Sequence, residues 1–256
     1  MKVLSIANHK GGTGKTATAR ALGDYLSAAG YKVLMVDLDP QASLTLSCGY
    51  REQISPSMVD VMGGAKPGEK EISDIIKRLS NSLYLAPSNL DLAAVELSIA
   101  SRLGREYILE RALRDLEGFD LSIIDCPPSL SLLVVNAIVA ADGILIPTQL
   151  MPVDITGVRR FMEITNEIRE NLNTNAQILG IMPTFYDSRY NAHQAGLKAM
   201  RAADWPIIDV CIGRSVRVGE AAAKGESVLT YEPSNPQADN YKLLGKEIEK
   251  WLQKTN

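Results

Sequence analysis

Lysines, glycines and a threonine crowd together near the amino terminus, in the run Lys10-Gly11-Gly12-Thr13-Gly14-Lys15-Thr16. These types at this spacing suit the capture of phosphate. Gly11, Gly12 and Gly14 permit backbone conformations that a Cβ disfavours, so successive N–H groups can turn inward onto phosphate oxygens. Lys15 adds a positive charge. The Thr16 hydroxyl, at the first turn of a helix, is placed to ligate Mg²⁺, a hard cation served by one or two protein oxygens together with phosphates and water. The common pattern G-x-x-x-x-G-K-[ST] is broken at its first glycine, where His9 stands, and an additional lysine, Lys10, precedes the glycine pair. With Gly and Lys each at about 6–7% of residues, the joint odds of this arrangement in such a chain are on the order of 10⁻⁴ to 10⁻³. That sets aside a chance glycine-rich turn with two solvated lysines. Because Lys15 already serves its own phosphates, a lysine across the loop can project outward to those of a second subunit, which makes Lys10 a candidate sensor of dimerisation.

Two further stretches place carboxylates where such a loop would use them. Asp37-Leu38-Asp39-Pro40-Gln41 follows the apolar run Val33-Leu34-Met35-Val36, and Asp125-Cys126-Pro127-Pro128-Ser129 follows Leu121-Ser122-Ile123-Ile124. Ligands of open α/β sheets gather at the carboxyl ends of strands. Asp125 is therefore a candidate to hold Mg²⁺, the alternative being a strand-end aspartate that caps the next helix. Asp37 and Asp39 are candidates to address metal-bound or attacking water, the alternative being a turn capped by Asp and Pro. His9 and His193 have no partners at ligand spacing and receive no catalytic role.

The elements that must position these groups alternate strand and helix. Expected strands lie at 3–7, 33–36, 83–86, 121–124, 143–147, 178–182 and 207–210; expected helices lie at 16–29, with Gly30 as its cap, and at 105–116, 129–141, 154–171 and 238–254. Between 55 and 97 the pattern is weaker and predicts short helices at 57–62, at 71–79 and after Asn89, with loops at Gly63-Gly64 and Pro67-Gly68. Continuous apolar runs separated by amphipathic helices imply a doubly wound, mostly parallel sheet with helices on both faces, joined by right-handed crossovers. At 256 residues and 46% hydrophobic content, a single domain spanning 1–256 is expected.

A net charge of −3 excludes a protein coated with cationic surface, so any nucleic-acid contact must be local. The region 189–224 has that local excess: Arg189, Lys198, Arg201, Arg214, Arg217 and Lys224 against Asp204, Asp209 and Glu220. Arg214 and Arg217, on an expected loop at 212–217, suit phosphate contacts; solvated surface charge is the alternative. Cys48, Cys126 and Cys211 have no C-x-x-C pairing, which fits reduced thiols in cytoplasm. The last helix is amphipathic, with Tyr241, Leu244, Ile248, Trp251 and Leu252 on one face and Lys242, Lys246, Lys250 and Lys254 in a stripe; docking on the protein's own body is favoured over membrane binding.

The pattern x-K-G-G-x-x-K-[ST], with D-L-D-P-Q and D-x-P-P-S after it, resembles the deviant Walker A ATPases, and within them the small ParA/Soj-like partition proteins more than MinD. The resemblance implies a P-loop ATPase that uses ATP and Mg²⁺. It implies a homodimer with two ATP molecules sandwiched between subunits, Lys10 acting across the interface, and Asp39 tied to hydrolysis. Nucleotide contacts are then expected from Lys10, Gly11, Gly12, Thr13, Gly14, Lys15, Thr16, Ala17 and Met182, and metal contacts from Thr16, Asp37 and Asp125. Ala17 stands where many relatives carry a second threonine. Nonspecific double-stranded DNA would meet Arg189, Arg214, Arg217 and Lys224, placing the protein on the nucleoid, and a ParB-like partner would stimulate hydrolysis. The chain departs from relatives at Gly225-Glu226-Ser227, where Gly-Lys-Pro is frequent. With its first strand at Met1, no helix-turn-helix domain is expected ahead of the loop.

Overall fold

The computed structural model describes residues 1–63 and 70–254. In chain order the elements are β1 (Lys2–Ile6), α1 (Lys15–Ala28), β2 (Val33–Asp37), α2 (Ser43–Ser47), α3 (Met58–Gly63), β3 (Lys77–Arg78) and β4 (Leu83–Ala86). There follow α4 (Leu92–Ile99), α5 (Ile108–Arg114), β5 (Leu121–Asp125), α6 (Leu132–Ala140), β6 (Gly143–Thr148), α7 (Pro152–Asn171) and β7 (Gln177–Pro183). The chain closes with α8 (Asn191–Ala202), α9 (Val216–Lys224), α10 (Val228–Tyr231) and α11 (Pro236–Gln253).

The strands form one sheet of seven in the order β3-β4-β2-β5-β1-β6-β7. All neighbours are parallel except the edge pair β3–β4. Successive strand side chains face opposite sides, so an all-apolar strand serves two cores. In β2, Val33 and Met35 join Leu22 and Leu26 of α1 and Tyr241, Leu244 and Ile248 of α11. Leu34 and Val36 join the other core, with Val61, Val95, Leu109, Ala137 and Phe161 from α3 to α7. This is the expected doubly wound arrangement.

Helix α1 begins at a left-handed Gly14 (φ 88°) and ends at a left-handed Gly30 (φ 98°). There the Tyr31 N–H donates to Leu26 O at 3.0 Å and the Gly30 N–H to Ser27 O at 3.2 Å, a paired closure that satisfies the last carbonyls.

Several local expectations need correction. The stretch 71–79 is not a helix: a single 3₁₀ turn at Ile72–Asp74, closed by reciprocal bonds between Glu71 and Asp74, gives way to β3, because antiparallel pairing with β4 claims Lys77 and Arg78. No strand forms at 207–210; only isolated bridges, Ile181↔Ile207 and Thr184↔Ile212, join that segment to β7 and its end. Residues 212–217 are not all loop, since Ser215 accepts the Arg217 N–H and starts α9, which Gly225 ends at φ 80°. Helix α8 had no counterpart among the expected elements. Gly63 closes α3, and the expected turns at Gly64 and at Pro67-Gly68 lie outside the described residues.

Glycines in two helices give a contrasting test of packing. A Cβ on Gly245 of α11 would fall 2.1 Å from Tyr25 Cδ1 on α1, whereas one on Gly219 of α9 would meet nothing within 4 Å. Ala replaces helical Gly with a gain of up to about 1 kcal/mol, and overpacking costs about 1–3 kcal/mol. Thermal melting of the ligand-free protein should therefore show Gly219→Ala stabilised by about 0.5–1 kcal/mol and Gly245→Ala destabilised by about 1–2 kcal/mol.

Candidate nucleotide site

The glycine-rich loop joins β1 to α1 and lines a cleft of about 540 Å³ at the carboxyl end of the sheet. Residues 11 to 17 all face it, as do Arg20, Asp39, Gln41, Pro128 and Phe185, and α9 and α10 close the far side with Val218, Ala222 and Val228. A smaller, mainly apolar cavity of about 320 Å³ adjoins it at Gly14 and Ala17. The loop is thus a concave row of backbone N–H groups at a helix N-terminus, which attracts anions.

Lys15 is 7% exposed, and its ammonium donates to Lys10 O at 3.0 Å across the loop. Burial lowers its pKa, while Asp125, Cys126 and Asp39 oppose that shift. Lys10 does not project outward. Its ammonium pairs with Asp154, the third residue of α7, whose side chain is 1% exposed against 40% for Lys10. His9 lies over Gly157 one turn further along α7, where a Cβ would come within 2.3 Å of the imidazole. Its pKa is lowered, first by burial and then by Lys15.

Asp37 and Asp125 end adjacent strands and are register partners. Both are fully buried. Burial pushes both carboxyl pKa values up, and the neighbouring carboxylate adds to the shift for Asp125. Their surroundings differ. Asp37 Oδ2 accepts from the Thr45 N–H and hydroxyl, both at 2.7 Å, and Oδ1 accepts from the Asp39 N–H at 3.2 Å. Asp125 Oδ2 accepts the Thr16 hydroxyl at 2.7 Å, and its buried Oδ1 has no partner among the described residues. Asp39, 8% exposed, accepts the Gln41 N–H at 2.9 Å.

A divalent cation fits this set. An orphaned carboxylate oxygen, a hydroxyl beside it and two buried carboxylates in mutual repulsion all favour positive charge. Thr16 and Asp125 would hold it. Asp37, with three donors already on its carboxylate, orients Thr45 and Asp39 instead.

Most residues expected at the site are brought together. Met182 is not: it is fully buried in β7 within the core beneath α1 and α11. The expected arginine surface divides. Arg189 and Arg214 line a polar cavity of about 760 Å³, while Arg217 and Lys224 stand on α9. Arg189 forms a two-pronged pair with Asp187 at 3.0 and 2.7 Å, which holds the Asp187 carboxyl at about 2. Arg217 meets Glu220 at 2.6 Å and Glu232 at 3.6 Å. Arg214 and Lys224 form no ion pair among the described residues. Sequence reasoning missed Asp154 and Phe185. Only a helix start after Pro152 signals the first, and nothing local signals the second.

A strand, a glycine-rich turn and a helix start, with two adjacent aspartate-ended strands to one side, make up the phosphate-binding end of a P-loop nucleoside triphosphatase. A family model described as an AAA domain, AAA_31, matches residues 1–178. The chain is 35% identical to the chromosome partitioning protein ParA of Caulobacter vibrioides over 97% of its length and 94% of that protein's. It is also 35% identical to the chromosome-partitioning ATPase Soj of Thermus thermophilus, over 96% of this chain and 94% of that one. A crystal structure named cobyrinic acid a,c-diamide synthase, from Mycobacterium smegmatis with bound ADP and magnesium, superposes with a TM-score of 0.85 at 33% identity, covering 99% of this chain and 96% of the other. The chain belongs to the ParA/Soj family of partition ATPases.

The buried carboxylates give the ligand-free protein a pH signature. Their raised pKa values mean that the fold prefers the protonated form, so this contribution to stability is present at acid pH and lost as pH rises through the folded pKa. Asp37 is pushed up from 3.8 to about 7, so the loss runs from about pH 4 to about pH 7. Asp125→Asn removes one charge of the pair while keeping an acceptor for Thr16. Urea midpoints without nucleotide or magnesium should rise in this variant at pH 8 and change little at pH 4.

Proposed function

We propose that the chain binds ATP with Mg²⁺ in the cleft, dimerises across the phosphate loops, binds double-stranded DNA without sequence preference and leaves it on hydrolysis. The carrying observation is the pair of lysines at the loop, one buried on its floor and the other on a mobile-length side chain at its rim. Lys15 and the N–H groups of 11 to 16 hold phosphates within the subunit. Lys10 exchanges Asp154 for the phosphates of the facing subunit, so the ion pair within one chain opposes premature assembly. Mg²⁺, when bound, neutralises phosphate charge. Asp39, fixed by Gln41 and Asp37, orients the attacking water, and hydrolysis stays slow until a ParB-like partner completes the site.

The arginine surface supports the DNA reading through Arg214 and Lys224, whose charges no carboxylate pairs with among the described residues. A membrane role is less well supported, because α11 packs Ala238, Tyr241, Leu244 and Ile248 into the core. Among the described residues no helix is long and apolar enough to cross a membrane.

Titration with a fluorescent ATP analogue and size-exclusion chromatography test the two lysines. Lys15→Ala should lose nucleotide affinity at least tenfold, the scale of one buried charge-assisted bond. Lys10→Ala should bind nucleotide as a monomer and fail to dimerise with ATP; equal loss of nucleotide affinity in both variants would refute the division of roles. Salt dependence tests the surface. Each phosphate contact on duplex DNA contributes about 0.9 to the slope of log K against log salt. Lys224→Ala, which removes one contact per subunit, should flatten the slope of the dimer by about two units, equally on unrelated sequences. An unchanged slope with the dimer intact places DNA elsewhere.

A further inference from the structure

Three cavities meet at one side chain. Phe185 lines the phosphate cleft, the apolar cavity beside Gly14 and Ala17, and the polar cavity that contains Arg189 and Arg214. Among the described residues no other is common to all three. Its backbone lies at φ 51°, a conformation that a bulky side chain seldom adopts and that persists only where the surroundings over-determine it. Here they do. The N–H before it, of Thr184, donates to Thr148 O at 2.7 Å, and the N–H after it, of Tyr186, donates to Ile212 O at 3.0 Å. The residue is pinned between the end of β6 and the segment leading to α9.

The ring has a second neighbour. The Arg214 guanidinium carbon lies 5.8 Å from its centroid, within the range of cation–π attraction. Arg189 is oriented by Asp187 and Arg217 by Glu220 and Glu232, whereas Arg214 has this aromatic face and, among the described residues, no carboxylate. Arg214 itself lines neither the phosphate cleft nor the apolar cavity. Any influence of Arg214 on a nucleotide therefore passes through an intermediary, and the ring is the wall they share.

We propose that Phe185 is a positioning residue that links nucleotide occupancy to Arg214 within a single subunit: a nucleoside packs on the ring from the cleft, and the ring holds the guanidinium on the other side. This rests on the reading of the cleft as a nucleotide site. Coupling between two sites is reciprocal, so a change at Arg214 must be felt by the nucleotide. The link operates before and apart from dimerisation, and it concerns the nucleoside, since phosphates alone do not need to reach the ring.

Isothermal titration of the full chain with ADP, and separately with inorganic tripolyphosphate, tests this. ADP lacks the γ-phosphate that a second subunit would reach, and tripolyphosphate lacks the base and sugar. The expected result is a loss of ADP affinity of about two- to fivefold in Arg214→Ala, the scale of one exposed cation–π contact. Phe185→Leu should lose a similar factor, the double variant no more than either single one, and tripolyphosphate affinity should be unchanged throughout. Arg189→Ala, whose guanidinium is engaged by Asp187, should bind ADP as the unaltered chain does. Wild-type ADP affinity in Arg214→Ala, or additive losses in the double variant, overturns the link while leaving the nucleotide reading in place. If Phe185→Leu does not fold, the exposed Arg214→Ala carries the test alone. Failure of the unaltered chain to bind either ADP or tripolyphosphate overturns the nucleotide reading and the link with it.

Discussion

Two carboxylates buried side by side at the ends of β2 and β5 repel one another, and the surrounding residues are arranged to hold them there. Parallel pairing forces the juxtaposition, since Asp37 and Asp125 occupy the same register on neighbouring strands. The protein answers with unequal solutions. Asp37 is saturated by Thr45 and by the backbone of Asp39, which converts its charge into a fixed loop. Asp125 receives Thr16 on one oxygen and leaves the other bare in the interior. An unpartnered buried oxygen is costly and uncommon in a native protein. Here it lies beside a helix N-terminus and a lysine, where a cation and phosphates together can satisfy it. Stability is given up in the empty state and recovered through ligand binding, which is how a site acquires affinity without new contacts elsewhere.

The same economy governs Lys10. Under the proposed function, Lys10 needs a partner within the monomer, because a free ammonium beside Lys15 adds like-charge repulsion. Asp154 supplies it. The carboxylate stands in the first turn of α7, where the helix dipole favours negative charge, and it is 1% exposed, so the pair is shielded from solvent on one side only. Gly157 on the next turn is required for His9 to fit beside it. The departure of His9 from the usual glycine is therefore accommodated by α7 and not by the loop.

How much of this was legible in the sequence follows the range of the forces involved. The loop from Lys10 to Thr16 and the aspartates at 37, 39 and 125 announce themselves because their chemistry depends on neighbours a few residues away. The strands β1, β2 and β4 to β7 show as apolar runs because both faces are buried. By contrast, β3 depends on an antiparallel partner that no period reveals, and the bridge at Ile207 has too few residues to declare itself. Helix α9, of which only Val216 and Arg217 fall in the expected loop at 212–217, has weak signals, because Ser215 and Gly225 bracket a segment whose only fully buried side chain is Ala221. The pairing of Lys10 with Asp154 spans 144 positions and is invisible until the fold places α7 beside the loop. Met182 shows the converse error: a residue at the right end of the right strand can still point into the core.

The cleft is consequently built from two kinds of material. Its phosphate half rests on β1, β2, β5 and the start of α1, with buried strands on both sides and little freedom to move. Its other half is made of α9, α10 and the turn after β7, short pieces whose buried apolar anchors are few: Ala221 and Val228 among the residues of the two helices. Elements with few buried contacts occupy the low end of a protein's local stability and are the ones able to shift on binding. Arg214 and Lys224, which form no ion pair among the described residues, stand at either end of α9, outside the cleft itself. Under the proposed function, the charge offered to DNA is thus attached to the part of the structure that can respond to nucleotide, while the groups placed to hold phosphate are fixed to the sheet.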